Sequence, residues 1–133
     1  MSGRELLLPP AVRYRLEKLA LAAQPEECCG VLLGCEAGDR LTVEQLLPTG
    51  NVASGDRRRY YQVDPRALAA AQRVARKRHR SVIGFFHSHP SGGVEPSGLD
   101  LHHAWPGVCY LILAVRGETV EIAGWRLAAE AAA

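Results

Sequence analysis

His87 and His89 stand one residue apart at the end of the apolar run VIGFF, and Ser97 and Asp100 follow across a loop holding Pro90, Pro96, Gly92 and Gly93. Alternate side chains of a β-strand share a face, so both imidazoles project the same way while Ser88 turns to the other side. Two imidazoles and a carboxylate are a ligand set for a catalytic metal ion that keeps a further position open. Asp100 supplies the carboxylate if the loop folds back, and His102 or His103 can take its place as the third ligand. Ser97-x-x-Asp100 is also a helix capping box, a purely structural use of the same residues. Nitrogen, nitrogen and oxygen donors suit zinc, and they suit non-haem iron as well. Metal-assisted hydrolysis needs a base in addition. Glu26 and Glu27, in QPEECCGVLLG, stand where an apolar strand begins. A solvated pair is the commoner fate of glutamate there; the functional alternative is a general base fixed at the rim of a sheet.

The elements that would carry these groups are legible from periodicity. Pro9 and Pro10 precede AVRYRLEKLALAA, where Val12, Leu16, Leu19 and Ala23 form the apolar stripe of an amphipathic helix that Pro25 closes. CCGVLLGCE and LTVEQLLP, joined by the turn AGDR, read as a hairpin. Residues 49–59, TGNVASGDRRR, read as a polar loop, and YYQV after it as a short strand. Asp64 and Pro65 supply the N-cap and first position of a helix running to about Lys77. Leu68, Ala71 and Ala75 face inward from it; Arg66, Arg73 and Lys77 face outward. SVIGFFHSH is the next strand, with a helical turn after Ser97. VCYLILAV and TVEIAGWRL follow as a second hairpin closed by RGE. Helices mixed with hairpins predict a single α/β domain over residues 1–133, a mixed β-sheet flanked by helices. The AAEAAA tail is expected to be frayed or helical.

Composition narrows the function classes. The chain has 133 residues, 47% hydrophobic and 23% charged, with a formal net charge of +2, as a soluble globular domain should. The N-terminal apolar run is three leucines, too short for a signal peptide, so a cytoplasmic protein is expected. Cys28, Cys29, Cys35 and Cys109 form no C-x-x-C pair and are expected as reduced, buried small side chains. Nothing local marks any of them as the activated nucleophile of a Cys/His hydrolase. The basic runs RRR at 57–59 and RKRHR at 76–80 raise nucleic-acid binding as a rival reading. Near-neutral charge and the lack of interleaved aromatics favour a solvated loop and a helix end instead. The same arginines are also suited to an acidic protein surface.

Glu27 three residues before Gly30, then His-Ser-His, seven residues, Ser97, two residues and Asp100, resembles the JAMM (MPN-plus) metalloprotease signature at every position. PEECCGVLLG, the segment from RRRYYQVDPRAL to VIGFFHSHP, and PS before the aspartate extend the likeness over roughly residues 10–127. The resemblance implies a cytidine-deaminase-like α/β sandwich with one zinc ion per chain on His87, His89 and Asp100. It implies Glu27 as the general base that hands its proton to the leaving amine, and Ser97 as a donor to the developing oxyanion. The deaminases' own Pro-Cys-x-x-Cys signature is absent, which argues against deamination. The implied activity is that of a zinc peptidase or isopeptidase acting after the C-terminal Gly-Gly of a small ubiquitin-like or sulfur-carrier protein. The chain is compact, without the long insert that reads polyubiquitin linkages. Alternatives are release of one amino acid such as cysteine from a sulfur carrier, and a non-catalytic interaction scaffold of the same family. The assembly, monomer or homodimer, is left open.

Overall fold

The computed structural model describes residues 5–127; the AAEAAA tail lies outside them. Alternating apolar residues on the strands have two faces to fill, and the two long helices fill one each. Six strands form one mixed sheet: β1 (Glu5–Leu7), β2 (Cys29–Ala37), β3 (Arg40–Thr49), β4 (Ser81–His89), β5 (Cys109–Arg116) and β6 (Thr119–Trp125), in the order β1-β3-β2-β4-β5-β6. The helices are α1 (Pro10–Ala23), α2 (Pro65–Lys77) and the short α3 (Gly98–His103). Val12, Leu16 and Ala20 of α1 pack with Leu32, Phe86, Leu111 and Leu113 on one face of the sheet. Ala71 and Ala75 of α2 pack with Val31, Leu33, Phe85 and Tyr110 on the other. Neighbouring residues of one strand, such as Phe85 and Phe86, thus serve opposite cores.

Both hairpins form as the turn signals require. Glycines at positive φ, Gly38 at 59° and Gly117 at 63°, take the left-handed conformation that a tight reversal needs. β2 lies antiparallel to both β3 and β4, and β4 runs parallel to β5. Parallel neighbours need a crossover. Here residues 90–108, including α3, make it, so α3 arises at the carboxyl end of β4. Gly30 allows a close approach in the same region: a Cβ there would run into the Phe86 ring and come within 2.6 Å of the Leu47 carbonyl oxygen.

Three local readings differ from the sequence expectation. YYQV is not a strand; Val63 makes only an isolated antiparallel bridge to Asn51, because this segment turns over the α2 face of the sheet and does not join its edge. Glu5–Leu7 is a strand, paired parallel to β3, although three leucines carry too little periodicity to identify one. Cys28 and Cys35 are half-buried, whereas Cys29 and Cys109 are buried as expected. Among the described residues, no helix is long and apolar enough to cross a membrane.

Candidate metal centre

β4 carries the first two groups of the site. Its alternation sends His87 and His89 to the α2 face, beyond Phe85, where the apolar layer ends. Ser88 turns to the opposite face, and its Oγ accepts the Cys28 N–H at 2.8 Å. Both histidines are buried, His87 completely. Asp100 arrives from the crossover. Ser97 Oγ accepts the Asp100 N–H at 3.0 Å while Asp100 Oδ2 accepts the Ser97 N–H at 2.9 Å, a complete capping box. Gly92 at φ +105° permits the reversal that brings this cap back over β4. The capping reading of Ser97-x-x-Asp100 holds and is compatible with the ligand reading, since the cap fixes the carboxylate that meets the histidines.

The three donor atoms converge. His87 Nε2 and His89 Nε2 are 3.2 Å apart, and Asp100 Oδ2 lies 3.1 and 3.0 Å from them. Donors about 2.0–2.1 Å from a tetrahedral ion stand roughly 3.4 Å apart, so the spacing is that of a metal ligand set. Proton bookkeeping is compatible with such a set. His89 Nδ1 lies 2.7 Å from the Gly93 carbonyl oxygen, which only accepts, so Nδ1 carries the proton. The Nε2 of a neutral ring is then a bare lone pair. It faces His87 Nε2 and Asp100 Oδ2: as a lone pair it can bind a metal ion, and in the protonated ring it donates to the carboxylate. His87, His89 and Asp100 could hold a metal ion. His102 and His103 are exposed at the end of α3, and His103 Nε2 meets the Tyr60 hydroxyl at 3.3 Å; neither joins the ligand cluster.

Glu27 and Glu26 part company. Glu26 is exposed and Glu27 is 6% exposed. The antiparallel register pairs Cys29 with His87, and continued by two residues it sets Glu27 level with His89. The Glu27 N–H donates to the Arg57 carbonyl at 2.8 Å, and Asn51 Nδ2 donates to the Glu27 carbonyl at 3.2 Å. Its Oε1 is buried with no hydrogen-bond partner among the described residues. Burial pushes the Glu27 carboxyl up to about 8, with His89 pulling it down and Asp100 pushing it up. For Asp100, burial acts upward. The hydrogen bonds to His87 and His89 outweigh it and hold the group well below the usual carboxylate range. Burial lowers His87. It also acts to lower His89, but the bonds to Asp100 and Gly93 raise that ring overall.

Beside the ligands a cleft of about 640 Å³ opens between residues 60–68 and α3, walled by Tyr61, Phe85, Trp105 and Tyr110 and bordered by Asp100. The cysteines have no comparable activation. Burial raises Cys28, Cys29 (to about 11) and Cys109, and the bond to Glu44 raises Cys35. Thiols held in their protonated form are poor nucleophiles. The basic runs are drawn into local pairs: Arg58 and Arg59 with Asp56, Arg80 with Glu44, Arg78 with Gln45. Asn51 and Tyr61 are site residues that the sequence does not announce. Asn51 Oδ1 accepts the Ala53 and Gln62 N–H groups, and its Nδ2 also reaches the Tyr60 carbonyl. A lone asparagine in a polar loop carries no signal of such a role.

The model of the prokaryotic homologs of the JAB domain matches residues 9–128. The chain belongs to the Prok-JAB family. It is 37% identical over 94 residues to the desampylase of Haloferax volcanii, covering 70% of this chain and 66% of that one. It is 30% identical over 115 residues to a Thermus thermophilus protein named "Probable TtuB-protein conjugate cleaving protease", covering 86% of this chain and 74% of the other. A solution structure from Desulfitobacterium hafniense superposes with a TM-score of 0.83 at 28% identity, covering 92% of this chain and 84% of that one. The Prok-JAB chain thus spans about two-thirds of the length of the first relative.

Proposed function

We propose that this Prok-JAB chain is a zinc-dependent peptidase or isopeptidase. Its substrate is the bond after the C-terminal Gly-Gly of a small ubiquitin-like or sulfur-carrier protein. The observation that carries the reading is the meeting of His87, His89 and Asp100 donor atoms within 3.2 Å of one another, with the buried Glu27 carboxylate level with them. The relatives' names, a desampylase and a protease of TtuB conjugates, support a protein-conjugate substrate. The layered sheet, with the metal strand at its centre, supports the cytidine-deaminase-like assignment of the fold.

His87, His89 and Asp100 would hold the ion, which when bound supplies Lewis acidity that acidifies water and polarises a carbonyl. The remaining chemistry belongs to the chain. Glu27 is buried and its Oε1 has no hydrogen-bond partner among the described residues, so a carboxylate is at hand to take a proton and give it back. It takes the proton of the attacking water and delivers it to the leaving nitrogen, which cannot depart as an anion. Ser97 Oγ accepts from the Asp100 backbone and keeps its own proton for another acceptor. That proton is offered to the oxyanion that develops on the scissile carbonyl. An extended glycine tail brings no side chains to accommodate in the cleft between residues 60–68 and α3.

The test uses purified protein with metal content measured per chain. Two substrates share one Gly-Gly carrier: one is joined to a lysine side chain, the other ends in a single added cysteine. About one zinc per chain, and cleavage of either substrate that a chelator stops and zinc restores, is the expected result. Preference between the two substrates separates isopeptide cleavage from release of one amino acid. Iron in place of zinc would favour an oxygenase. A zinc-loaded protein that cleaves neither would favour the scaffold reading.

A further inference from the structure

We propose that Tyr61 is a positioning residue for the His87 arm of the metal centre, an inference that rests on the metal-site reading above. The two ligand imidazoles are held in different ways. His89 is oriented through its second nitrogen, which meets the Gly93 carbonyl at 2.7 Å. A metal-ligating histidine is ordinarily fixed in this manner, and the partner of the second nitrogen sets both ring plane and tautomer. His87 lacks that restraint: its Nδ1 is buried with no hydrogen-bond partner among the described residues. What it has is an aromatic cover. The Tyr61 ring stacks on the His87 imidazole with centroids 4.3 Å apart and planes 15° from parallel. Rotating the imidazole about its Cβ–Cγ bond would drive an edge into the Tyr61 face. The stack therefore restricts the motion that would swing Nε2 away from Asp100.

Tyr61 can serve as a platform because its own backbone is pinned on both sides by Asn51. The Asn51 Nδ2 donates to the Tyr60 carbonyl at 3.0 Å, and its Oδ1 accepts the Gln62 N–H at 3.1 Å. The same Nδ2 reaches the Glu27 carbonyl at 3.2 Å, so one asparagine places the platform and the base strand relative to each other. The segment YYQV leaves the sheet in order to lie over His87.

The test is zinc affinity, which does not depend on identifying a substrate. Chelator-stripped wild type, Tyr61→Phe and Tyr61→Leu are titrated with zinc against a chromophoric competitor. Visible spectra of the cobalt-loaded forms and thermal unfolding of the metal-free forms accompany the titration. Tyr61→Phe should bind within about twofold of wild type. Tyr61→Leu fills the space without an aromatic face. It should bind roughly 10- to 100-fold more weakly, the range for losing a partner of a ligating histidine, with a shifted cobalt spectrum and little change in unfolding temperature. Equal affinity in Tyr61→Leu would overturn the inference, because filling the space would then suffice. Loss in Tyr61→Phe as large as in Tyr61→Leu would overturn it too, by assigning the role to the hydroxyl. A wild type that takes up no zinc would remove the metal-site reading and this inference with it, an outcome distinct from both.

Discussion

The two faces of the sheet are built from the same strands and do opposite work. On the α1 face, Leu16, Leu32, Phe86, Leu111 and Leu113 are sealed at 0–1% exposure in an apolar layer. On the α2 face the apolar layer of Val31, Leu33 and Phe85 stops short, and His87, His89, Asp100 and Glu27 occupy the end of it, next to an aromatic cleft. Phe86 and His87 are chain neighbours, yet one is core and the other a candidate ligand. The difference teaches that strand alternation lets one segment supply stability and chemistry without compromise between them. The cost is concentrated on the α2 face, where buried polar atoms such as Glu27 Oε1 go without partners.

Breaking each face in turn should separate the two kinds of work. His89→Ala removes a ligand and its Gly93 anchor together. Bound zinc should be lost, and cleavage of a conjugate should fall at least about a thousandfold, since the Lewis-acid contribution is worth several kcal/mol. Metal analysis beside a turnover assay checks this. Turnover that survives would take His89 out of the centre.

Glu27→Gln is the next largest. Metal content should persist while turnover falls by about 10²- to 10⁴-fold, the scale of general acid–base catalysis. The same variant sharpens the comparison through pH. In the metal-free protein the Glu27 carboxyl is raised from 4.5 to about 8, so between those values the folded state keeps a proton that the unfolded chain has released. Stability from this group is complete below 4.5 and is lost as pH rises towards 8. Denaturation of the metal-free forms from about pH 4 to 9 should therefore give a smaller decline for Glu27→Gln than for wild type. Parallel curves would refute the raised carboxyl.

Ser97→Ala joins the two roles of the cap. Turnover should drop by on the order of a hundredfold if the hydroxyl serves the oxyanion, with about 1 kcal/mol of stability lost from the cap. A stability loss alone would leave Ser97 as a cap only. The smallest effect on chemistry belongs to the other face. Leu16→Ala should cost about 2–5 kcal/mol of stability and leave turnover per folded molecule unchanged, measured below its unfolding temperature. A matching fall in turnover would mean that the two faces are coupled after all.

Part of the site is legible in the order of residues alone. The H-x-H pair belongs to one side of a strand because the period of two is a property of the backbone. The Ser97–Asp100 cap and the Asp64 cap of α2 are legible for the same local reason: three or four residues decide them. His102 and His103 stay open as alternatives in the sequence because helix spacing alone does not say which residue faces the strand. Glu27 is harder. Nothing in QPEECC distinguishes it from Glu26, and only the family resemblance does so, because its position depends on a strand register between segments about sixty residues apart. YYQV reads as a strand in sequence and is not one, since aromatic, β-prone residues look alike whether they pair with a strand or stack on an imidazole.

Residue order alone is enough for the groups available and their local presentation: two imidazoles on one side of β4, a carboxylate in a helix cap, and helices with one apolar face. These follow from short-range geometry, in which three or four neighbouring residues decide the outcome. Long-range packing is what brings the three donors together, sets Glu27 level with His89 with its Oε1 lacking a partner among the described residues, and lays Tyr61 over His87. Those outcomes depend on strand register, on a crossover turning at Gly92, and on burial. Each is a contest between distant segments that no local pattern records.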